Sequence, residues 1–171
     1  MNEPTLEMVS LFHRRTFRHI EQVRENLLSL IGFHGLDQEA LEERAADHDR
    51  SKFSESERSG YVWLNWSYHC RKQGIAFEPT PEIRDVIQKA SAEHRSRNLH
   101  HPEAHGTVSQ MRTLDIVEMI CDWHAIAQEN GTGHGSTAKW LREEGIKRWR
   151  FTESQLELAR ETITELEKRT G

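Results

Sequence analysis

Cysteine is scarce: Cys70 and Cys121 are the only two in 171 residues, both in apolar or aromatic surroundings and without CxxC spacing. That pattern argues against a disulfide framework and suits a reducing cytoplasm. Long apolar runs are missing as well. None approaches the roughly 18 residues of a membrane span, and no basic leader precedes an apolar stretch, so a soluble, untargeted protein with no membrane partner is expected. Nor is there an excess of basic charge. With 23 Lys and Arg against 28 Asp and Glu, the net charge is −5 and the pI about 6.1, which gives no general attraction to nucleic acid. A bound nucleotide would require a local basic pocket. Alternating strand patterns and internal repeats are also missing.

What is present points to a folded helical chain. A charged fraction of 30% and a mean hydropathy of −0.80 would suit disorder, but the apolar residues recur at helical spacing and include five Trp and six Phe. The length fits one domain spanning residues 1–171, with a core over about 4–129 and C-terminal helices over 136–169 packed on it. Val9, Phe12, Thr16, Ile20, Val23, Leu27 and Ile31 predict a first helix over 4–31, ended by Gly32 and Gly35. Asp37 caps a second helix through Asp47, and Ser54 with Glu57 forms a capping box for a third, which Gly74 stops. Thr80 and Pro81 open a fourth helix to about Arg97. A polar loop over 99–110 precedes a central helix over 111–128 that is apolar on almost every side. The glycine-rich stretch 131–136 reads as a flexible connection, Ser136 caps a short helix around Trp140, and Thr152 with Gln155 starts the last one. The class is an all-α bundle of six to seven helices.

The histidines are the chemical signal. His94 follows Ile83, Ile87 and Ala90 on one stripe, His48 follows Leu41, Arg44 and Ala45, and His19 shares a face with Phe12, Thr16 and Val23. An inward imidazole loses solvation unless it finds a hydrogen-bond partner or a metal. One such residue is commonly an ordinary core histidine; three, with an adjoining His48-Asp49 pair, favour a metal site. Asp49 suits a bridging position, because a carboxylate offers one oxygen to each of two ions. Asp122 shares its helix side with Asp115, Glu118 and Glu129, which reads as a solvated acidic face. Its neighbours Cys121, Trp123 and His124 leave a buried position open. His100, His101 and His105 occupy the polar loop, where one or two of them can reach a metal. His13, His34, His69, His124 and His134 carry no usable pattern and read as structural or surface residues.

The order His19, His48-Asp49, Asp122 on an all-α scaffold resembles the HD-domain superfamily of metal-dependent phosphohydrolases. The stretch His48-Asp49-Arg50-Ser51-Lys52-Phe53, then His94-x3-Asn98-x-His100-His101 and Asp122-Trp123, is also similar to an uncharacterised bacterial and phage family that is silent on activity. The HD resemblance implies His19, His48, Asp49 and Asp122 as ligands of one metal. His94 and His101, or His100 in its place, fit the two extra slots of the dinuclear branch, whose His-Asp-x-Gly-Lys motif His-Asp-Arg-Ser-Lys resembles. The mononuclear nucleotidases of the superfamily often carry an acid where this chain has Lys52.

The implied cofactor is one or two divalent transition metals, manganese, iron, zinc, cobalt or nickel. The implied reaction is hydrolysis of a nucleotide or other small phosphoester by metal-activated water, with Asp49 and Lys52 as catalytic residues. Lys52, Arg18, Arg95, Arg97 and Asn98 are the expected substrate contacts, with Arg14 a further candidate, since guanidinium forks match phosphate geometry. Tyr61, Trp63 and Trp66 read either as a base-stacking surface or, more simply, as core. The same ligand order resembles that of mixed-valent diiron oxygenases, and a non-catalytic nucleotide- or metal-binding module is a third reading. No dimer seam is legible.

Overall fold

The computed structural model describes residues 3–131 and 136–170; residues 132–135, with His134 and most of the expected flexible connection, lie outside them. The described residues are helical, with no strand among them, as the periodicity predicts. Helix α1 spans Leu6–Ser29, α2 Gln38–Asp47, α3 Glu55–Gln73, α4 Pro81–Arg97 and α5 Thr113–Asn130. A short helix, Thr137–Trp140 (α6), widens into a π turn at Leu141–Gly145 and closes as Ile146–Arg148 (α7), before α8 at Glu153–Thr170. The polar loop ahead of α5 contains two 3-10 turns, Pro102–Ala104 and Val108–Gln110.

Most boundaries follow the caps legible in the sequence. Gly32 turns the chain after α1 with φ at +84°, and the Asp37 carboxylate accepts the Ala40 N–H at 2.8 Å to start α2. Thr80 accepts the Ile83 N–H ahead of Pro81, and Thr152 and Gln155 exchange side-chain to backbone bonds at the start of α8. At the end of α3, Gly74 takes φ +67° and the next N–H returns to the Cys70 carbonyl at 2.9 Å. The expected capping box at Ser54 does not form. Ser54 makes no side-chain cap, and Glu57 is withdrawn fully into the interior.

The chain divides into two compact units, each built from separate stretches of sequence. One comprises residues 1–18 and 49–97; the other comprises 19–48 and 98–171. In the first, Met8 and Phe12 of α1 bury with Tyr61, Val62 and Trp63 of α3 and with Ile83 and Ala90 of α4. Helices α3 and α4 approach closely where Gly60 faces α4: a Cβ there would meet the Ala90 side chain and stand 2.7 Å from the Val86 carbonyl. Trp63 stacks on Phe77 at 6.1 Å and is buried with Tyr61, so these two aromatics are core rather than a base-stacking surface.

The second unit centres on α5. Ile116, Val117, Met119, Ile120, Cys121 and Ala125 pack with Val23, Leu27 and Leu30 of α1, with Leu41 and Ala45 of α2, and with Ala159, Ile163 and Leu166 of α8. Buried Asn26 donates to the Cys121 carbonyl at 3.2 Å and to Gln128 at 3.1 Å, tying the later part of α1 to α5. His124, also buried, meets the Thr137 and Thr170 hydroxyls through its two ring nitrogens, a structural role. No helix among the described residues is long and apolar enough to cross a membrane.

Candidate metal centre

Three helices of the second unit each deliver one side chain to a common point. His19 comes from the middle of α1, His48 from the residue that ends α2, and Asp122 from α5. All three are buried, and one donor atom of each lies within 4.8 Å of the others. His19 Nε2 approaches Asp122 Oδ1 at 2.9 Å, and the His19 and His48 rings are 5.7 Å apart. His100 joins them from the loop, buried at 2% exposure with its ring 4.5 Å from that of His48. Half-buried His101 packs its ring 4.2 Å from that of His100.

The acidic side of α5 is what holds these imidazoles, and it is not solvated as its spacing suggests. Asp115, Glu118 and Asp122 are all buried. Glu118 Oε1 accepts from His48 Nδ1 at 2.9 Å and lies 3.3 Å from His100 Nδ1. The other Glu118 oxygen accepts from Arg44 at 2.7 Å, and the same guanidinium grips Asp115. Arg44 thus compensates two buried carboxylates at once, which is the condition for placing them there. Toward the C-terminal end of α5, Glu129 accepts from His19 Nδ1 at 2.8 Å.

The electrostatics follow from these contacts. Burial raises the Glu118 carboxyl, but the His100 and His48 hydrogen bonds outweigh it and hold the pKa at about 2. Burial likewise works against ionised Asp122, yet the His19 hydrogen bond and the charges of His19, His100 and His48 keep it well below the usual carboxylate range. Two imidazoles and an ionised carboxylate form a mixed nitrogen and oxygen donor set of the kind that suits a divalent transition metal.

The first unit carries a second cluster. Asp49 opens the 3-10 turn Arg50–Phe53 with φ at +58°, one of two non-glycine residues in the left-handed region among those described. Its carboxylate accepts from the Lys52 ammonium and faces His94 Nε2 at 3.1 Å. His94 Nδ1 donates to Glu57 Oε2 at 3.0 Å, with the Ser51 hydroxyl bonded to the same oxygen. Burial opposes charge on His94, but hydrogen bonds to Asp49 and Glu57 raise its pKa overall. The Tyr61 ring lies edge-on to His94 at 5.3 Å, with the Lys52 ammonium 5.0 Å from its centroid.

Among the expected substrate contacts, Lys52 is mostly buried on Asp49, while Arg18 and Arg14 are exposed on α1. Arg97 is exposed and paired with Glu93 at 2.8 Å; Arg95 and Asn98 are half-buried. Sequence reasoning missed Glu57, Glu118 and Glu129, along with the anchoring role of Arg44. Glu57 and Glu118 each had a simpler reading available, as a helix cap and as part of a solvated face. The signal that finds them is complementarity, since each inward histidine requires a buried acceptor.

Residues 8–170 match the family described as Family of unknown function (DUF5662), and the chain belongs to that family. No curated protein and no solved structure matches it.

Proposed function

We propose that this DUF5662 member is a metal-dependent phosphohydrolase acting on a nucleotide or another small phosphoester. The observation that carries the reading is the convergence of buried His19, His48 and Asp122 on one point, with a donor atom from each inside 4.8 Å. Three groups so placed are costly to bury for stability alone, and their types and order match the ligand positions that the HD resemblance implies. His48 and Asp49 are sequence neighbours, and the HD resemblance extends the reading to Asp49, whose partner within its own unit is His94; in the other unit His100, the more buried of the adjacent pair, stands ahead of His101.

A divalent transition metal held by such donors supplies Lewis acidity toward a phosphoryl oxygen and acidifies a water near neutral pH. The chain supplies the rest. The His19, His48 and Asp122 side chains hold the ion. Asp49 is the carboxylate for a bridging or proton-accepting role. Lys52, whose ammonium rests on Asp49, is the compact cation that neutralises phosphate oxygens. Exposed Arg18 offers a guanidinium for a further phosphate contact.

The test is elemental analysis of the purified protein, followed by a screen of deoxynucleotides, cyclic nucleotides and generic phosphoesters with manganese, cobalt and zinc. Turnover that falls at least 100-fold in Asp122→Ala, with the helical fold retained, is the expected result. Absence of turnover with every metal would sink the proposal. Two irons with an oxidation-state-dependent spectrum would replace it with the oxygenase reading.

A further inference from the structure

The histidines divide by which ring nitrogen they commit to a neighbour. His19, His48, His94 and His100 each turn Nδ1 toward a glutamate: Glu129 at 2.8 Å, Glu118 at 2.9 Å, Glu57 at 3.0 Å, with the Ser51 hydroxyl also 3.0 Å from the His94 nitrogen, and Glu118 again at 3.3 Å. The histidines outside the proposed site follow no such rule. His34 and His105 engage Nε2, with Glu161 and the Leu99 carbonyl, and His124 meets a threonine hydroxyl at each nitrogen. Within each unit, then, the residues read as ligands are also those whose Nδ1 rests on a glutamate.

The chemistry of that contact is directional. An ionised carboxylate only accepts hydrogen bonds, so the imidazole facing a glutamate keeps its proton on Nδ1; a metal that takes its place between Nε2 and the carboxylate beyond it displaces the Nε2 proton and meets the lone pair there. The ring is also held against rotation, which sets where Nε2 points. His19 Nε2 faces Asp122 and His94 Nε2 faces Asp49, each a proposed co-ligand. Resting on the metal-site reading above, we infer that Glu57, Glu118 and Glu129 are positioning residues that select Nε2 as the metal-binding atom of His94, of His48 with His100, and of His19.

The three glutamates differ in load, and that makes the inference quantitative. Glu118 serves two rings and is itself fixed by Arg44, whereas Glu57 and Glu129 serve one ring each. Loss of Glu118 should therefore weaken metal binding more than loss of either of the others. Glu129 is the safest to alter, because its side chain is 23% exposed.

The experiment uses zinc as the probe with the full chain. Zinc affinity is measured by competition against a chromophoric chelator for the parent, Glu129→Gln, Glu129→Ala, Glu57→Gln and Glu118→Gln. The melting temperature of each metal-free variant is recorded alongside. Imidazole nitrogen resonances of the zinc-loaded parent report which ring nitrogen binds. The expected result is Nε2 ligation in the parent and a loss of affinity of about 10- to 100-fold in the variants, largest for Glu118→Gln. Glu129→Gln, which keeps an acceptor oxygen, should lose less than Glu129→Ala. Parental affinity in the Glu129 and Glu57 variants, Nδ1 ligation, or a lowered melting temperature with unchanged affinity would overturn the inference. If the parent itself binds no zinc or other divalent metal, the metal-site reading fails before any variant is compared.

Discussion

Asp49 combines a conformational cost with the charge that the proposed site uses, and substitutions separate the two. Its φ of +58° disfavours side chains by about 1–2 kcal/mol relative to glycine, with Asp and Asn tolerated best. Asp49→Asn keeps both the turn and a polar group, so it should fold like the parent while losing metal affinity. Asp49→Gly should lose the same affinity and, by urea denaturation, exceed Asp49→Ala in stability by about 1 kcal/mol. If Ala and Gly proved equally stable, the left-handed backbone would not be a feature of the protein in solution. At this position the sequence shows the adjoining His48-Asp49 pair but not the left-handed conformation of Asp49. Glu57 is the opposite case. Three residues after Ser54 it satisfies a capping pattern completely, and only the long-range meeting with His94 shows why it is inside.

Helices α3 and α4 illustrate how a contact can reverse a propensity. Replacing glycine by alanine inside a helix ordinarily gains about 1 kcal/mol. At Gly60 the added methyl would collide with Ala90 and the Val86 carbonyl, so the two helices must separate. Gly60→Ala is expected to lower stability by about 1–3 kcal/mol in urea denaturation, the usual range for overpacking; a gain would contradict the close approach. The helices themselves were readable because glycines, Thr80-Pro81 and the Thr152 box mark their ends. The inward side of α5 was not. Apolar residues surround that helix, so the polar ones among them could not be assigned to solvent or interior from spacing. Arg44, seventy-one residues before Asp115, decides it.

Across the chain as a whole, both thiols are shielded. Cys70 lies in the first unit and Cys121 in the second, and each is almost fully buried. Burial pushes the Cys121 thiol well above its ordinary range, and the Glu118 and Asp122 carboxylates add to the rise. The native protein should therefore react negligibly with an aromatic disulfide reagent at pH 8, and two thiols per chain should titrate after denaturation. Rapid modification of the native protein would mean that one of these interiors opens readily.

The order of synthesis gives the discontinuous second unit a further consequence. His19, His48 and Asp122 have all left the ribosome before α8, although α8 supplies Ala159, Ile163 and Leu166 to the core around α5. A nascent chain thus exposes the donors of the proposed metal site before the packing that orients them is complete. Metal captured during translation would meet loosely held side chains, and a selective site would form only once the last helix docks.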